Sequence, residues 1–357
     1  MNKSLGSMRA CIAALAALSL AGCASVGGGL GGASGGVNVA EVGSFHIGGR
    51  QVALSGLPEK ELRFTPSSPP IKVNPNGEFE VEQMYVQYIK LAQPKAKFPL
   101  LMWHGGGLTG VTFETKPDGG EGWQMAFLKN GHDVYVSDAT ERGRASWARY
   151  PEIFASEPFF RAKKEGWELF RIGAVDSYNA DAAKRVALPS SQFPLQAFDQ
   201  FAKQFVPRWA TNNAPTQAAY DAYVQRACPC VILVHSQGST FAFEAARKFP
   251  QLIKAVVAVE PSGGLDATKV DIAGMKAVPH LIVWGDFMDN NPTWKNAVQP
   301  PVLRFTDALG KLGGVVDTMD LPKMGIKGNS HMMMMDKNSD QIAGLIQGWM
   351  AKQGLMK

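Results

Sequence analysis

The segment "VILVHSQGST" (residues 231–240) begins with four branched apolar residues and then changes abruptly to His235, Ser236, Gln237 and Gly238. A continuous apolar run is typical of a strand that is buried on both faces, as in a parallel sheet covered by helices. The polar residues follow the carboxyl end of that strand, where such sheets bind their ligands. Ser236 can therefore be a nucleophile on a tight turn, or merely the first residue of a helix.

Other parts of the chain repeat this pattern. Four further apolar runs stop at glycines or polar residues, at residues 98–107, 132–146, 252–264 and 278–290. Helical patterns lie between or after the runs, whereas "EVEQMYVQYIKL" alternates polar and apolar residues and indicates that residues 38–97 form an antiparallel sheet edge. Strands that alternate with helices predict an α/β fold with a mostly parallel central sheet flanked by helices.

The roughly 90 residues between Asp138 and Cys228 carry no strand pattern, and this gap is much longer than an ordinary crossover. Because the segment is rich in helix-forming and aromatic residues, residues 140–227 are predicted to form a helical cap inserted before the strand that leads to Ser236. Most of its rings are expected to pack the insertion's own core. A few would line an apolar pocket, for which the candidates are Phe159, Phe160 and Trp167.

The composition fits a large globular domain. The chain has 357 residues, of which 45% are apolar and 19% charged, enough for a sizeable core. The formal net charge of +5 is small for this length, and the basic residues are scattered among acidic ones. We therefore assign residues 38–357 to the folded domain and exclude nucleic acid as a partner.

The N-terminus has the pattern of an export signal. Residues 1–22 combine two basic residues with a short apolar run that ends in small residues, as a secretory signal peptide does. The stretch "LAGC", which ends at Cys23, resembles a bacterial lipobox, in which the cysteine becomes lipidated. Residues 23–37 are rich in glycine and serine and predict a flexible tether. We expect a lipid anchor in the bacterial cell envelope, and Ala24 after the cysteine favours the outer membrane.

The cysteines indicate neither a disulfide framework nor a metal site. Signal removal and lipidation would use Cys11 and Cys23, which leaves Cys228 and Cys230 in "CPC". This spacing is not that of a zinc site, and a disulfide across a single proline would be strained. We therefore predict two structural thiols, and we expect that the protein needs no metal or organic cofactor.

The residues after the apolar runs include the groups that an acyl-transfer site requires: a nucleophile, a base, an acid and oxyanion donors. Ser236 is the candidate nucleophile because a strand–turn–helix context pushes a hydroxyl above the sheet. Gly238 supplies the small neighbour that this turn needs. Val234 departs from the G-x-S-x-G pattern, in which a glycine also stands two residues before the serine.

His331 is the candidate base. It follows every predicted strand and precedes the last helix, which matches the order nucleophile, acid, histidine of one large class of hydrolases. The other histidines lie in or before predicted strands, or so close to the glycine loop and Ser236 that they cannot reach over the serine: His46, His104, His132, His235 and His280.

The residues leave the identity of the acid open. Glu260 ends one apolar run, whereas Asp286 and Asp289 follow the next run, which is the more usual place. Each of these carboxylates could accept the imidazole N–H and hold its tautomer.

The run His104-Gly105-Gly106-Gly107 follows "LLMW" at the end of a predicted strand. Glycines in such a loop leave backbone N–H groups free to stabilise negative charge on an oxygen. The candidate oxyanion donors are therefore the N–H groups of Gly105, Gly106 and Gln237.

Four segments together resemble the Alcaligenes-type bacterial esterase, an α/β-hydrolase: "MWHGGGLTGVTFETKPDG", "HSQGS", "VVAVEPSG" and "GIKGNSHMMMMDKN". The resemblance extends from about residue 40 to the C-terminus. It implies an α/β-hydrolase fold with a cap before the nucleophile strand, and a homodimer. It also implies a glutamate acid after the strand that follows the nucleophile, which favours Glu260 over Asp286. Val234 departs from the tight turn of the family, and the resemblance is not extended to the "CPC" stretch.

We therefore predict a serine carboxylester hydrolase that forms an acyl-enzyme on Ser236, with His331 as the base and Glu260 as the orienting acid. Its catalytic domain would be residues 38–357, and its substrate a small-molecule ester. The same fold could instead cleave lactones, polyesters or amides, because the triad is shared and the pocket decides. The alternative from another class is a surface lipoprotein that binds an apolar ligand without turnover.

Overall fold

The computed structural model describes residues 36–147 and 149–357. The predicted signal peptide, the lipidation site Cys23 and all but the last two residues of the predicted tether lie outside the described residues, so these assignments stay predictions. None of the helices in the described part of the chain is long and apolar enough to cross a membrane.

The described residues form an α/β structure. Its strands are β1 (Val39–Leu54), β2 (Lys60–Leu62), β3 (Ile71–Val73), β4 (Gly77–Leu91), β5 (Leu100–Trp103), β6 (Val134–Asp138), β7 (Cys230–His235), β8 (Ile253–Val259), β9 (His280–Trp284) and β10 (Val316–Asp320). Its α-helices are α1 (Val111–Glu114), α2 (Trp123–Lys129), α3 (Lys163–Leu169), α4 (Phe198–Ala202), α5 (Asn213–Ala227), α6 (Gly238–Lys248), α7 (Gln299–Lys311) and α8 (Ser339–Lys352).

One sheet contains eight of these strands, in the order β1-β4-β6-β5-β7-β8-β9-β10. Strands β5 to β10 run parallel to one another, whereas β4 pairs antiparallel with both β1 and β6 at one edge. The five apolar runs of the sequence coincide with β5 to β9, and the alternating segment is part of β4. The predicted α/β fold, with its mostly parallel sheet and antiparallel edge, is confirmed.

The central strands are buried because helices cover both faces of the sheet. All six residues of β7 are buried. Their side chains alternate between two apolar clusters, with Val231 and Leu233 in one and Ile232 and Val234 in the other. Burial on both faces is the reason that these strands are continuous apolar runs in the sequence. The parallel arrangement brings the residues that follow β5, β7, β8 and β9 to one edge of the sheet.

In the described residues between β6 and β7, the α-helices are α3, α4 and α5, joined by short 3-10 helices, turns and loops. Trp167 and Phe170 belong to the apolar cluster on one face of the sheet. Rings of this segment therefore pack against the sheet as well as against one another. Tyr220 and Tyr223 of α5 belong to the cluster on the opposite face. The assignment of residues 140–227 as a cap stays a prediction.

Cys228 and Cys230, at the start of β7, are joined by a disulfide bond. The prediction of two structural thiols is therefore wrong. That prediction relied on the short spacing along the chain, but the two Cα atoms lie 4.4 Å apart, a separation that a disulfide can span. The local backbone conformation decides this distance, and spacing alone does not reveal it.

Candidate active site

Ser236 lies on a sharp turn between β7 and α6. Its φ angle of 53° is in the left-handed region, which non-glycine residues rarely adopt and which costs about 1–3 kcal/mol. The carbonyl of Ser236 accepts hydrogen bonds from the N–H groups of Ser239 and Ser262, at 3.0 and 3.2 Å. These bonds hold the strained turn, and Ser236 lines a cavity at the carboxyl edge of the sheet.

Gly238 has no room for a side chain. A Cβ atom at this position would lie 2.7 Å from the carbonyl oxygen of His104 and 2.7 Å from Cγ2 of Val234. Val234 is itself fully buried in the core. The close packing explains why glycine is needed two residues after Ser236, whereas a valine is accommodated two residues before it.

His331 and Glu260 are in direct contact. Nδ1 of His331 lies 3.0 Å from Oε2 of Glu260, and both side chains are buried. The other carboxylate oxygen, Oε1, accepts a hydrogen bond from the N–H of Gly285. Because an ionised carboxylate only accepts, this contact assigns the proton of His331 to Nδ1 and leaves Nε2 as the basic atom. His331 and Ser236 line the same cavity.

The imidazole of His331 is held by rings and backbone bonds from several elements. The ring of Phe170 stacks on it at a centroid distance of 5.3 Å, and the ring of Trp294 lies at 4.4 Å. The backbone N–H of His331 donates to the backbone carbonyl of Phe170 at 2.9 Å. The carbonyl of His331 accepts a hydrogen bond from Nε2 of His235 at 3.0 Å. These contacts keep the imidazole in one orientation, as a preorganised site requires.

Arg171, in the segment between β6 and β7, forms a buried ion pair with Glu260. Its Nη2 lies 2.8 Å from Oε2 of Glu260, and neither side chain is more than 1% exposed. Nε of Arg171 donates to the carbonyl of Asp286 at 2.8 Å, and the guanidinium lies 4.9 Å from the centre of the Trp294 ring. The carboxylate of Glu260 is thus placed between an imidazole and a guanidinium.

The surroundings of His331 hold its pKa well below the usual value of a histidine. Burial is the main cause because it disfavours the charged imidazolium, and the positive charges of Arg171 and Arg161 act in the same direction. At neutral pH the imidazole is therefore neutral, which is the form that accepts a proton.

The pKa of His331 leads to a prediction for the pH dependence. If His331 is the base, kcat/KM should remain at its plateau as the pH falls through 6.5, the usual histidine pKa, and should decrease only at lower pH. The reason is that only protonation of His331 removes the base. Arg171→Met removes one of the positive charges, so the pKa of His331 should rise and the acidic limb should move to higher pH. The measurement is the pH profile of kcat/KM for a neutral 4-nitrophenyl ester.

Two further variants separate this electrostatic effect from a general loss of structure. Arg171→Lys retains the charge and should leave the acidic limb close to its original position. Arg304→Gln removes a positive charge from an exposed site and should not move it. A purely structural role of Arg171 predicts lower activity at every pH without a displaced limb, and that result would contradict the assignment.

His104 holds the glycine loop that follows β5. Its Nε2 accepts a hydrogen bond from the N–H of Ala139 at 3.0 Å, so Nδ1 carries the proton and donates to the carbonyl of Gly105 at 2.8 Å. Burial lowers the pKa of His104 to about 4, which keeps the ring in this neutral form. A Cβ atom on Gly105 would lie 2.9 Å from Cβ of Ser236, so the loop passes directly beside the candidate nucleophile.

The candidate oxyanion donors are free of protein partners. Within the part of the chain that the structure describes, no backbone carbonyl or side chain accepts a hydrogen bond from the N–H groups of Gly105, Gly106 or Gln237. Gln237 precedes the first residue of α6, so its N–H also lies at the positive end of a helix. These groups are available to a negative charge that develops next to Ser236.

The cavity beside Ser236 has a volume of about 350 Å³, a size typical of small-molecule sites. Its apolar lining comes from Leu169, Phe170, Phe241, Trp294 and Val298. The rings that the sequence singled out do not line it: Phe159 and Phe160 are 49% and 67% exposed, and Trp167 is buried in the core. That choice of candidates is therefore wrong, because the fold of the segment decides which rings face the site.

The two competing acids lie elsewhere. The carboxylate of Asp286 accepts hydrogen bonds from the N–H groups of Phe287 and Gly328, at 2.7 and 2.9 Å, and so holds the loop that leads to His331. Asp289 is exposed and pairs with Lys295 at 2.8 Å. Among the hydrogen bonds of the described residues, neither aspartate contacts the His331 ring. The geometry favours Glu260 as its partner.

Two buried ionisable residues near His331 escape prediction from the sequence. One is Arg171, for which the only signal is a basic residue within the apolar stretch "LFRIGAV". The other is Asp336, whose carboxylate accepts hydrogen bonds from the N–H and hydroxyl of Ser330 and from the side chain of Asn329, at 2.8 to 2.9 Å. Burial raises the pKa of Asp336 to about 7. Asp336 thereby positions the backbone directly before His331.

Proteins described as an esterase and as a lipase are similar to this chain. No protein-family model matches the chain. A solved structure described as a novel bacterial esterase superposes with a TM-score of 0.76 and is 32% identical, covering 90% of this chain and 98% of that chain. A protein from a fungal species (strain ATCC 74256), described as the probable secreted lipase phiG, is 26% identical in an alignment 336 positions long, and the match covers 78% of this chain and 88% of that protein.

The bacterial esterase shares nearly a third of its residues with this chain, and the alignment includes almost its whole length. The resemblance inferred from the sequence motifs is thereby confirmed. This chain belongs to the α/β-hydrolase family of carboxylesterase-type enzymes that the bacterial esterase represents.

Proposed function

We propose that this enzyme hydrolyses carboxylic esters through an acyl-enzyme on Ser236, with His331 as the general base and Glu260 as the acid that orients it. The observation that carries the proposal is the 3.0 Å contact between Nδ1 of His331 and Oε2 of Glu260, at a cavity that Ser236 also lines. The strained turn at Ser236 and the free N–H groups beside it support the same assignment.

In the acylation step, Nε2 of His331 accepts the hydroxyl proton of Ser236 while Oγ attacks the ester carbonyl carbon. The carbonyl oxygen becomes negatively charged and accepts hydrogen bonds from the N–H groups near Gly105, Gly106 and Gln237. The imidazolium is stabilised by the carboxylate of Glu260. It then donates its proton to the leaving alcohol as the carbon–oxygen bond breaks, which leaves an acyl-enzyme.

In the deacylation step, water takes the place of the alcohol. His331 accepts a proton from this water, and the resulting hydroxide attacks the acyl carbon. The second tetrahedral intermediate uses the same oxyanion donors. It collapses when the imidazolium returns the proton to Oγ of Ser236, and the carboxylic acid product leaves.

A fluorophosphonate probe tests the proposal, because such probes react covalently with an activated serine. We expect one adduct per chain, located by peptide mass spectrometry on Ser236, together with loss of 4-nitrophenyl ester hydrolysis. A protein that binds an apolar ligand without turnover would neither react nor hydrolyse the ester. Labelling at another residue, or hydrolysis that survives complete labelling, would exclude this mechanism.

We also propose that the enzyme is attached to the bacterial cell envelope by lipid on Cys23. The support is the signal pattern of residues 1–22, the lipobox-like "LAGC" and the flexible composition of residues 23–37. The fungal relative described as secreted fits an extracellular or envelope location.

Replacement of the anchor residue provides a prediction for this location. The unmodified protein should fractionate with membranes and be released by detergent but not by high salt, since a lipid chain and not charge holds it. Cys23→Ser should abolish incorporation of radiolabelled palmitate and block signal cleavage at this site. Cys11→Ser serves as the control and should change neither result. The anchor would be ruled out if the signal of Cys23→Ser is cleaved as in the original protein and the original protein incorporates no palmitate.

A further inference from the structure

Two arginines line the cavity together with Ser236 and His331. Arg161 precedes α3, and Arg208 precedes α5. No aspartate or glutamate is among the described residues that line this cavity. The cavity is therefore positively charged, although hydrolysis of a simple neutral ester requires no cation beside the triad.

Both guanidinium groups lie against the glycine loop. A Cβ atom on Gly106 would be 3.1 Å from Nη1 of Arg208, and a Cβ atom on Gly107 would be 3.5 Å from Nε of Arg161. The absence of side chains on this loop lets the two cations approach the position of the reacting carbonyl. A charged group on a bound substrate could reach them while its ester lies beside Ser236.

The neighbouring acids compensate these charges only in part. Arg161 has a side chain that is only 7% exposed, and it pairs with Glu165 at 2.6 Å. No ion pair or hydrogen bond of the Arg208 side chain is found among the described residues, and its buried Nε atom has no partner there. A third arginine, Arg142, is also buried nearby, and burial raises the pKa of its neighbour Glu141 to about 7, so this acid is only partly ionised at neutral pH.

Partly buried, incompletely paired guanidinium groups are unfavourable in an isolated protein. Burial lowers the pKa of both Arg161 and Arg208, which reflects the free energy needed to keep a charge away from water. A carboxylate is the ligand that best relieves this situation, because its two oxygens match the planar donor pair of a guanidinium. In other enzymes, arginine side chains beside the reacting atoms position the substrate by binding a charged part of it.

We propose that the natural substrates are esters that also carry a carboxylate, and that Arg161 and Arg208 bind this second group in the cavity. The inference rests on the proposed ester hydrolysis at Ser236 and specifies its substrate class. The carboxylate anchors one arm of the substrate, and the ester of the other arm is thereby placed between Ser236 and the oxyanion donors.

Matched pairs of esters test the proposal. For the acyl arm, mono-4-nitrophenyl adipate is compared with 4-nitrophenyl 6-methylheptanoate, in which an isopropyl group replaces the carboxylate. For the alcohol arm, 4-(carboxymethyl)phenyl acetate is compared with 4-isobutylphenyl acetate. In at least one pair, kcat/KM should be about 10- to 100-fold higher for the anionic ester, the range of a charge-assisted contact.

Variants of Arg208 assign this preference to the cavity. Arg208→Gln should lower the ratio of kcat/KM for the anionic over the neutral ester by about 10-fold or more, and Arg208→Lys should restore part of it because the charge returns. Arg304→Gln, which removes a charge from an exposed site, should leave the ratio unchanged. Inhibition of neutral ester hydrolysis by free adipate, but not by adipamide, tests the same point in the unmodified enzyme and requires no variant.

The possible results separate this inference from the proposed function. Equal kcat/KM within both pairs and no inhibition by adipate would overturn the anionic substrate class while leaving ester hydrolysis intact. An equal loss for neutral and anionic esters in Arg208→Gln would also overturn it, because the arginine would then stabilise the reacting carbonyl of any ester. Failure to hydrolyse all four esters, with Ser236 unlabelled by a fluorophosphonate, would reject the proposed function itself.

Discussion

Ser236→Ala is expected to lower kcat for a 4-nitrophenyl ester by about 10⁴- to 10⁶-fold, the range found when the nucleophile of a serine hydrolase is removed. Without Oγ no acyl-enzyme forms, and only the oxyanion donors and substrate binding remain to assist attack by water. The fold should change little, because the change removes one oxygen atom from a residue that lines a cavity.

The measurement is single-turnover and steady-state hydrolysis, with thermal unfolding to confirm an intact structure. Ser262→Ala is the matched control, because it removes a hydroxyl from the same cavity without removing the proposed nucleophile. We expect this control to retain kcat within about 10-fold, the scale of one neutral hydrogen bond. Activity of Ser236→Ala close to that of Ser262→Ala would refute Ser236 as the nucleophile.

Glu260→Gln is expected to lower kcat by about 10³- to 10⁴-fold, as loss of the orienting carboxylate does in other triads. The amide carries no charge to stabilise the imidazolium of His331, and it can present a donor to Nδ1, which would favour the wrong tautomer. It also leaves the buried Arg171 without its ion-pair partner, so thermal stability should fall. The loss of kcat is therefore compared at a temperature at which the variant remains folded.

The two aspartates provide controls that differ in position but not in chemistry. Asp286→Asn should reduce kcat only moderately, because its carboxylate holds the N–H of Gly328 and not the imidazole. Asp289→Asn should have almost no effect, since this side chain is exposed and pairs with Lys295. If Asp286→Asn proves more damaging than Glu260→Gln, the acid has been misassigned.

Most of the sheet could be predicted from the sequence because burial on both faces leaves a local signal. Strands β5 to β9 are continuous apolar runs that end in glycine or polar residues, and each run is recognisable without any knowledge of its neighbours. The same local reasoning identified Ser236 and His331 as candidates, the first from its strand–turn–helix context and the second from its place after all predicted strands. Their catalytic roles stay predictions until the variants are measured.

Local reasoning failed where the answer depended on three-dimensional geometry that position along the chain does not reveal. The disulfide between Cys228 and Cys230 depends on a backbone conformation that brings their Cα atoms to 4.4 Å. The candidates Phe159, Phe160 and Trp167 were selected by their position in the insertion, but ring orientation depends on how that insertion packs.

The sequence by itself thus determined the α/β class, the antiparallel edge and the strand ends at which the polar residues gather, because these follow from periodicity and burial along consecutive residues. Only the tertiary structure decided which side chains meet there. Residue identities alone left three carboxylates open as the acid, namely Glu260, Asp286 and Asp289. The resemblance favoured Glu260, and the fold places it against His331. Arg171 reaches Glu260 from 89 positions earlier in the chain, and a contact over such a separation leaves no periodic trace in the sequence.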